Sequence, residues 1–273
     1  YVLGRNPREE LSGVILADGR KYPRSKRPLS PENWSLPSVE VVKQCSSWQQ
    51  LTAGFDLPDR FLPIGTLIPD IGCDRRGDFC QTPTYGSGYL RMSPATVRKW
   101  LLRLKEAGIR TVLSHSDQFL GRVLFPEGRN EVLEIMKTVR ELGLAIAFPN
   151  GLELRKMTKG RGRNFDSTDL TPDEELIEAV CGWDGNVGCI SIYAPAERPI
   201  VGRESYSKLL PWQQHCQLMQ SVVRAGVPSI AYGTIVGLPE DSNESLSHLE
   251  EAIYELRNDL LAINPQLVFE DRE

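Results

Sequence analysis

A chain of 273 residues, 40% hydrophobic and 25% charged, buries a large core, which excludes both a disordered chain and a small disulfide-held domain. Its net charge of −4 gives no ground for nucleic acid as a partner, and no apolar run reaches the roughly 18 residues that span a membrane. The cysteines Cys45, Cys73, Cys80, Cys181, Cys189 and Cys216 are scattered, as reduced thiols with one metal site would be. No secretion signal opens the chain, so the expected compartment is the cytoplasm.

Residues 1 to 60 read as a linker segment. GVILADGRKY places an Asp18-Gly19 turn between two short apolar pieces, which predicts a hairpin, and Pro23, Pro28, Pro31 and Pro37 follow among charged residues. Val39 to Gly54 is expected to be a short helix with Trp48 and Leu51 on one face, and Cys45 a packed thiol. The chain begins at Tyr1 without a methionine, which suggests a piece of a longer protein.

From residue 61 to 273, apolar runs alternate with amphipathic stretches. The run Leu62 to Ile71 is followed by a helix that Ser93 caps and Pro94 starts, running to Gly108 with Val97, Leu101 and Leu104 on one face. A second strand is TVLSHSDQFL from Thr111, and Glu127 to Leu142 is a helix with Val132, Ile135, Met136 and Val139 at helical spacing and Gly143 as its stop. LAIAFPNG is a third strand, Thr171-Pro172 is expected to cap a helix through Val180, and GCISIYAP is a fourth strand. Trp212 to Ala225 (helix), PSIAYGTIVGLP (strand), Ser242 to Leu256 (helix) and LAINPQLVFE (strand) complete the series. Such alternation predicts an α/β fold, a parallel sheet covered by helices.

The chemistry concentrates after the first strand, in IPDIGCDRRGDFCQTPTYG, where Cys73 and Cys80 flank a turn rich in Asp and Arg. Thiolates at a strand exit suit a soft metal site, since the rigid strand fixes one ligand while the loop wraps the others. The stretch resembles the cluster-binding loop of radical SAM enzymes, C-x3-C-x2-C with an aromatic residue before the last cysteine. Cys73 and Cys80 stand as its first and third cysteines, Phe79 as its aromatic residue, and Gly77 where the middle cysteine would be. QTPTYGSGYLRMSPATV after it is similar to the subset of the family that carries a cobalamin domain ahead of the barrel, many of them C-methyltransferases.

The resemblance implies a partial (β/α)6 TIM-like barrel preceded by an extended linker with a hairpin. It also implies a [4Fe-4S] cluster on Cys73 and Cys80, S-adenosylmethionine (SAM), and cobalamin through a domain outside this chain. Gly233, Ile235 and Gly237 match the G-x-I-x-G-x-x-E run, completed by Glu240, that packs the adenine; glycines let the backbone approach a flat ring and isoleucine gives it an apolar face. Asp117, after Ser114-His115-Ser116, is placed to accept hydrogen bonds from the SAM ammonium. His115 reads either as a ligand or proton carrier or as an ordinary polar residue.

Asn150 and Glu153 after the third strand, and Ser191, Tyr193 and Glu197 in the fourth, are positioned to reach the ribose or the methionine carboxylate, or are plain loop polarity. Arg155, Lys156, Lys159, Arg161 and Arg163 form a basic run that suits an anionic partner, or else a solvated charged loop.

In the family a reduced cluster gives SAM one electron, the resulting 5′-deoxyadenosyl radical takes a hydrogen from substrate, and methylcobalamin supplies the methyl group; one variation needs no hydrogen abstraction. The partners implied are a small-molecule or peptide substrate and an electron donor such as flavodoxin or ferredoxin. Gly77 leaves three accounts open: a lost middle cysteine, a cluster held by two cysteines and another residue, or a degenerate domain that binds SAM or a partner without redox chemistry.

Overall fold

The structure is a computed structural model that describes residues 14–15, 18–22, 30–46, 57–75, 80, 82, 88–160, 169–197, 210–239 and 241–272. Its frame is a six-stranded parallel sheet: β3 (Ile64–Leu67), β6 (Thr111–Ser114), β7 (Ala145–Phe148), β8 (Gly188–Glu197), β9 (Ser229–Thr234) and β10 (Val268–Arg272), side by side in chain order. β3 and β10 are the two edges, so the sheet stays open. The alternation of apolar runs therefore yields the α/β architecture expected of a partial barrel.

Five helices link the strands: α2 (Pro94–Glu106), α3 (Gly128–Glu141), α4 (Glu174–Cys181), α5 (Trp212–Arg224) and α6 (Asn243–Ile263). Each packs on its sequence neighbour along the outer face of the sheet. α2 shows why these segments are helical. Ser93 accepts the Thr96 N–H at 3.2 Å, Pro94 stands in the first turn, and Gly108 at φ +88° leaves the helix in a conformation that favours glycine. Its buried stripe, Val97, Trp100, Leu101 and Leu104, packs with Leu67, Val112, Ile146, Ile192 and Ile230 in one large core between helices and sheet. Burying each such side chain contributes about 1.5–3 kcal/mol, and Leu101→Ala would cost about 2–5 kcal/mol.

A second, smaller apolar cluster of Leu57, Phe61, Ile64, Leu113, Ala145, Ala147 and Ile190 lies on the other face of the sheet. Phe61 tilts against Trp183 with ring centroids 5.4 Å apart, and the Thr111 hydroxyl donates to the Phe61 carbonyl at 2.8 Å. Its members Ile64 and Ala145 stand at the amino ends of their strands, while Leu113 and Ala147 pair one step from the carboxyl ends of β6 and β7.

Ahead of the sheet, β1 (Val14–Ile15) and β2 (Lys21–Tyr22) pair antiparallel, the hairpin that Asp18-Gly19 predicts. Residues 30–45 lie on α2: Glu32 accepts from Ser93 N (2.6 Å), Ser93 Oγ (2.9 Å) and Thr96 Oγ1 (2.7 Å), and Arg103 Nη1 donates to the carbonyls of Leu36 and Pro37. Val42, on α1 (Val39–Cys45), belongs to the large core.

Several boundaries differ from those the sequence suggests. α1 ends at Cys45, because Ser46 turns extended; Trp48 and Leu51 lie outside the described residues. α4 is capped by Asp173, whose Oδ1 accepts the Leu176 N–H at 3.2 Å, while Pro172 bridges to Thr158. α6 runs to Ile263 rather than Leu256, since Leu260 continues the buried stripe of Leu249, Ile253 and Leu256, and Pro265 follows its last turn. Leu260-Leu261 is therefore helix, and β10 starts only at Val268. β6 stops at Ser114 because Asp70 draws Ser116 and Gln118 into a turn. Among the described residues no helix is long and apolar enough to cross a membrane.

Candidate functional site

At the carboxyl ends of the strands the character of the sheet reverses. β3 runs through Ile68-Pro69 into the two-residue strand β4 (Asp70–Ile71), which pairs antiparallel with β5 (Leu90–Arg91). Gly72, at φ +79°, turns the chain and donates its N–H to Asp117 Oδ2 at 2.7 Å. Cys73 follows, half-buried. Its Sγ accepts the Arg75 N–H at 3.3 Å and lies 3.9 Å from Gln118 Nε2. Burial, with Asp74 and Glu153 adding negative charge, pushes its thiol above the ordinary cysteine range.

Beside the thiol lies a buried ion cluster. Glu153, in the turn after β7, accepts from Arg75 Nη2 at 2.5 Å, Gln118 Nε2 at 3.0 Å and Lys156 Nζ at 2.8 Å, and Lys156 also reaches Asp74 at 2.5 Å. Burial alone would raise the Glu153 carboxyl, but Lys156 and Arg75 overcome it and hold the group below its ordinary value. Lys156 is fully buried, and a lysine is found there only when its charge is matched.

Under β4 is a second polar knot. Asp70 is fully buried, and its Oδ1 accepts from Ser116 Oγ and, at 3.4 Å, from the Gln118 N–H. Arg122 is also fully buried; it donates to the carbonyls of Met92 (2.7 Å) and Pro69 (2.9 Å) and to Glu131 (3.2 Å), with Asp70 3.8 Å away. Burial pushes the Asp70 carboxyl up to about 6 against the pull of Arg122.

The inner face of the sheet above the apolar floor carries small side chains. Thr66 is exposed between buried Gly65 and Leu67, and Ala147 pairs with Ser191, Tyr193 with Ala231, and Pro195 with Gly233. Half-buried Ser191 and Tyr193 alternate with buried Ile192 and Ala194. A Cβ added at Gly233 would collide with the Tyr193 hydroxyl, and one at Gly151 would lie 2.8 Å from Tyr193 Cδ1, so this ring spans both glycines. Gly237 is exposed at φ +81° with open space around it, Ile235 is half-buried, and Asn150 is exposed beyond β7. Glu197 is buried at φ +57°, a conformation uncommon for a residue with a side chain.

The structure thus brings Cys73, Asp117 and Glu153 together, and separately Tyr193 and Gly233. Two expectations change. Glu153 faces the cysteine loop with its carboxylate engaged by three side chains, rather than reaching toward a ribose. The basic run divides: Arg155 and Lys156 are buried and Lys159 is exposed, so a solvated loop describes only part of it. Phe79, Gly77, Glu240, Arg161 and Arg163 lie outside the described residues. Asp70, Asp74, Arg75, Gln118 and Arg122 escaped the sequence reading; the charged turn CDRR was a visible signal, but its buried partners some 80 residues away were not.

No protein-family model matches the sequence, and no curated protein does. Solved structures do match. One is the radical S-adenosylmethionine methyltransferase TsrM from Kitasatospora setae with cobalamin and a [4Fe-4S] cluster bound, at TM-score 0.53 and 16% identity over 71% of this chain and 32% of that one. Another is the cobalamin-dependent S-adenosylmethionine radical enzyme OxsB with aqua-cobalamin and S-adenosylmethionine bound, at 0.53 and 18% identity over 76% of this chain and 27% of that one. Apo OxsB matches at 0.56 and 14% identity over 97% of this chain and 38% of its own. The fold is that of these cobalamin-dependent radical SAM enzymes. The chain spans between a quarter and two fifths of their length.

As to a cluster, Cys73 and Cys80 are donors of the right kind, and Cys73 lies just beyond the carboxyl end of the first sheet strand. They are two thiols, and among the described residues no group of three Cys, His, Asp or Glu side chains gathers to hold a metal.

Proposed function

We propose that this chain is the barrel of a cobalamin-dependent radical SAM enzyme, by class a C-methyltransferase of a small-molecule or peptide substrate. The observation that carries the reading is the Cys73 loop at the rim of this particular fold, tied by buried charge to the turn after β7. Residues 61 to 273 are the barrel, and residues 1 to 60 join it to a cobalamin-binding domain of the parent protein. The compartment is the cytoplasm, and flavodoxin or ferredoxin supplies electrons.

Cys73 and Cys80, the latter preceded in sequence by Phe79, would hold the iron–sulfur cluster, and the cluster when bound supplies the electron that cleaves SAM. The chain's own residues bind and orient. Asp117 accepts from the SAM ammonium, and Asn150, Ser191 and Tyr193 face the ribose and the methionine end. Gly233, Ile235 and Gly237 receive the adenine, with Gly237 offering open backbone. The small inner residues Thr66 and Ala231 leave room for the ligand, while the apolar floor of Phe61, Ile64, Leu113, Ala147 and Ile190 keeps water from entering beneath it.

Gly77 favours a second reading, a degenerate barrel that binds SAM without redox chemistry. Anaerobic reconstitution of the chain, of Gly77→Cys, and of Gly77→Cys combined with Cys73→Ala or Cys80→Ala separates the two. The enzyme reading expects Gly77→Cys to gain iron, sulfide and release of 5′-deoxyadenosine, and either alanine to abolish them. A colourless Gly77→Cys that still binds SAM by calorimetry selects the degenerate barrel. A full cluster on the unmodified chain would point to a ligand other than cysteine.

A further inference from the structure

We propose that Glu153 is a positioning residue for the Cys73 thiol, acting through Arg75, Lys156 and Gln118 rather than through any contact with SAM. The proposal deepens the reading of Cys73 as a cluster ligand and rests on it. Three segments that are far apart in sequence meet at this carboxylate: the cysteine loop, the turn after β6 and the turn after β7. Both residues that follow Cys73 are bound to the last of these, Arg75 by Glu153 at 2.5 Å and 3.1 Å, and Asp74 by Lys156 at 2.5 Å. Lys156 returns to Glu153 at 2.8 Å, closing the circuit. Gln118 links the circuit to the sulfur, since its Nε2 donates to Glu153 at 3.0 Å and lies 3.9 Å from Cys73 Sγ.

The side chain of Glu153 is only 3% exposed, and its two oxygens are taken up by these contacts, so it has nothing to offer a ligand in the mouth of the sheet. The loop needs such a hold. Gly72 at φ +79° is a pivot with little steric resistance of its own, and from Cys73 onward the loop has no strand partner among the described residues. Charge-assisted bonds out of water are strong and directional, and a circuit of them fixes where the sulfur points before any metal arrives.

The test uses the full chain, reduced and free of metal, so that its readout does not depend on enzyme activity. Alkylation by iodoacetamide is followed cysteine by cysteine through peptide mass mapping, in wild type, Glu153→Gln, Arg75→Met and Arg75→Lys. Losing a charge-assisted bond from the loop is expected to speed alkylation of Cys73 about tenfold in Glu153→Gln and Arg75→Met, leave Cys80 and Cys45 at their wild-type rates, and be partly reversed in Arg75→Lys. Arg75 is part of the loop itself, so Arg75→Met decides the matter should Glu153→Gln fail to fold. Wild-type rates at Cys73 in Arg75→Met, or equal acceleration of every cysteine, overturn the proposal. Selective acceleration in a chain that never takes up iron upholds the positioning role and counts against the cluster reading alone.

Discussion

The two ends of one sheet are built on opposite principles. Toward the amino ends, Leu57, Phe61, Ile64, Ala145 and Ile190 form an apolar floor, with Trp183 tilted against Phe61. At the carboxyl ends the same strands lead to Cys73 and, around it, to Asp70, Asp74, Arg75, Arg122, Glu153 and Lys156, whose charges are matched one against another and, Asp74 apart, largely buried. The floor gains from burying apolar surface, which needs no exact partner. The mouth gains direction: each buried charge is tolerable only while its counter-charge stays put, so Cys73, Asp74 and Arg75 are tied to one arrangement.

The largest expected effects set the two ends directly against each other. Phe61→Ala at the floor and Arg122→Met under the mouth should each lower unfolding stability by about 3–5 kcal/mol at pH 8. Their pH dependence should differ. Asp70 titrates at about 6 even with Arg122 beside it, so at pH 5 it takes a proton and no longer needs the cation. The cost of Arg122→Met should therefore shrink between pH 8 and pH 5, while that of Phe61→Ala stays level. Urea titrations at the two pH values check this, and a constant Arg122→Met cost would mean that Asp70 does not carry the charge assigned to it.

A smaller effect comes from the helix layer, and being common to wild type and both variants it cancels from their costs. His215 on α5 bonds the Tyr232 hydroxyl at 2.7 Å, and burial pushes its imidazole down to about 4. Its folded value lies below the unfolded one of about 6.5, so between these the unfolded chain binds the proton and the folded chain does not. Stability is full above pH 6.5 and falls toward pH 4, by up to about 3 kcal/mol. Replacing it by His215→Phe should flatten that part of the stability profile measured by urea at a series of pH values.

The smallest effect probes the inner face between floor and mouth. Gly233→Ala places a methyl where the Tyr193 hydroxyl stands, and should cost about 1–3 kcal/mol. In a Tyr193→Ala background the same change should cost almost nothing, since the ring that it displaces is gone. Equal costs in both backgrounds would show that Gly233 is required by its own backbone and not by the ring.

Local sequence determined most of the frame. Helical spacing with the Ser93-Pro94 start defined α2, the Asp18-Gly19 turn defined the hairpin, and alternating apolar runs defined six parallel strands, because periodicity and capping are properties of neighbours in the chain. The cysteine loop and the Gly233–Gly237 run stand out in the sequence for the same reason, as short patterns, and their roles remain proposals. What Glu153, Lys156, Arg122 and Tyr193 do was not. A charged residue in a sequence looks solvated, and the spacing of Lys156 within its basic run gives no hint that it will be buried and meet Asp74, more than eighty residues earlier, at 2.5 Å. Only the parallel stacking of β3, β6 and β7 brings the three turns together, and the burial that makes their charges matter exists only once the sheet has formed.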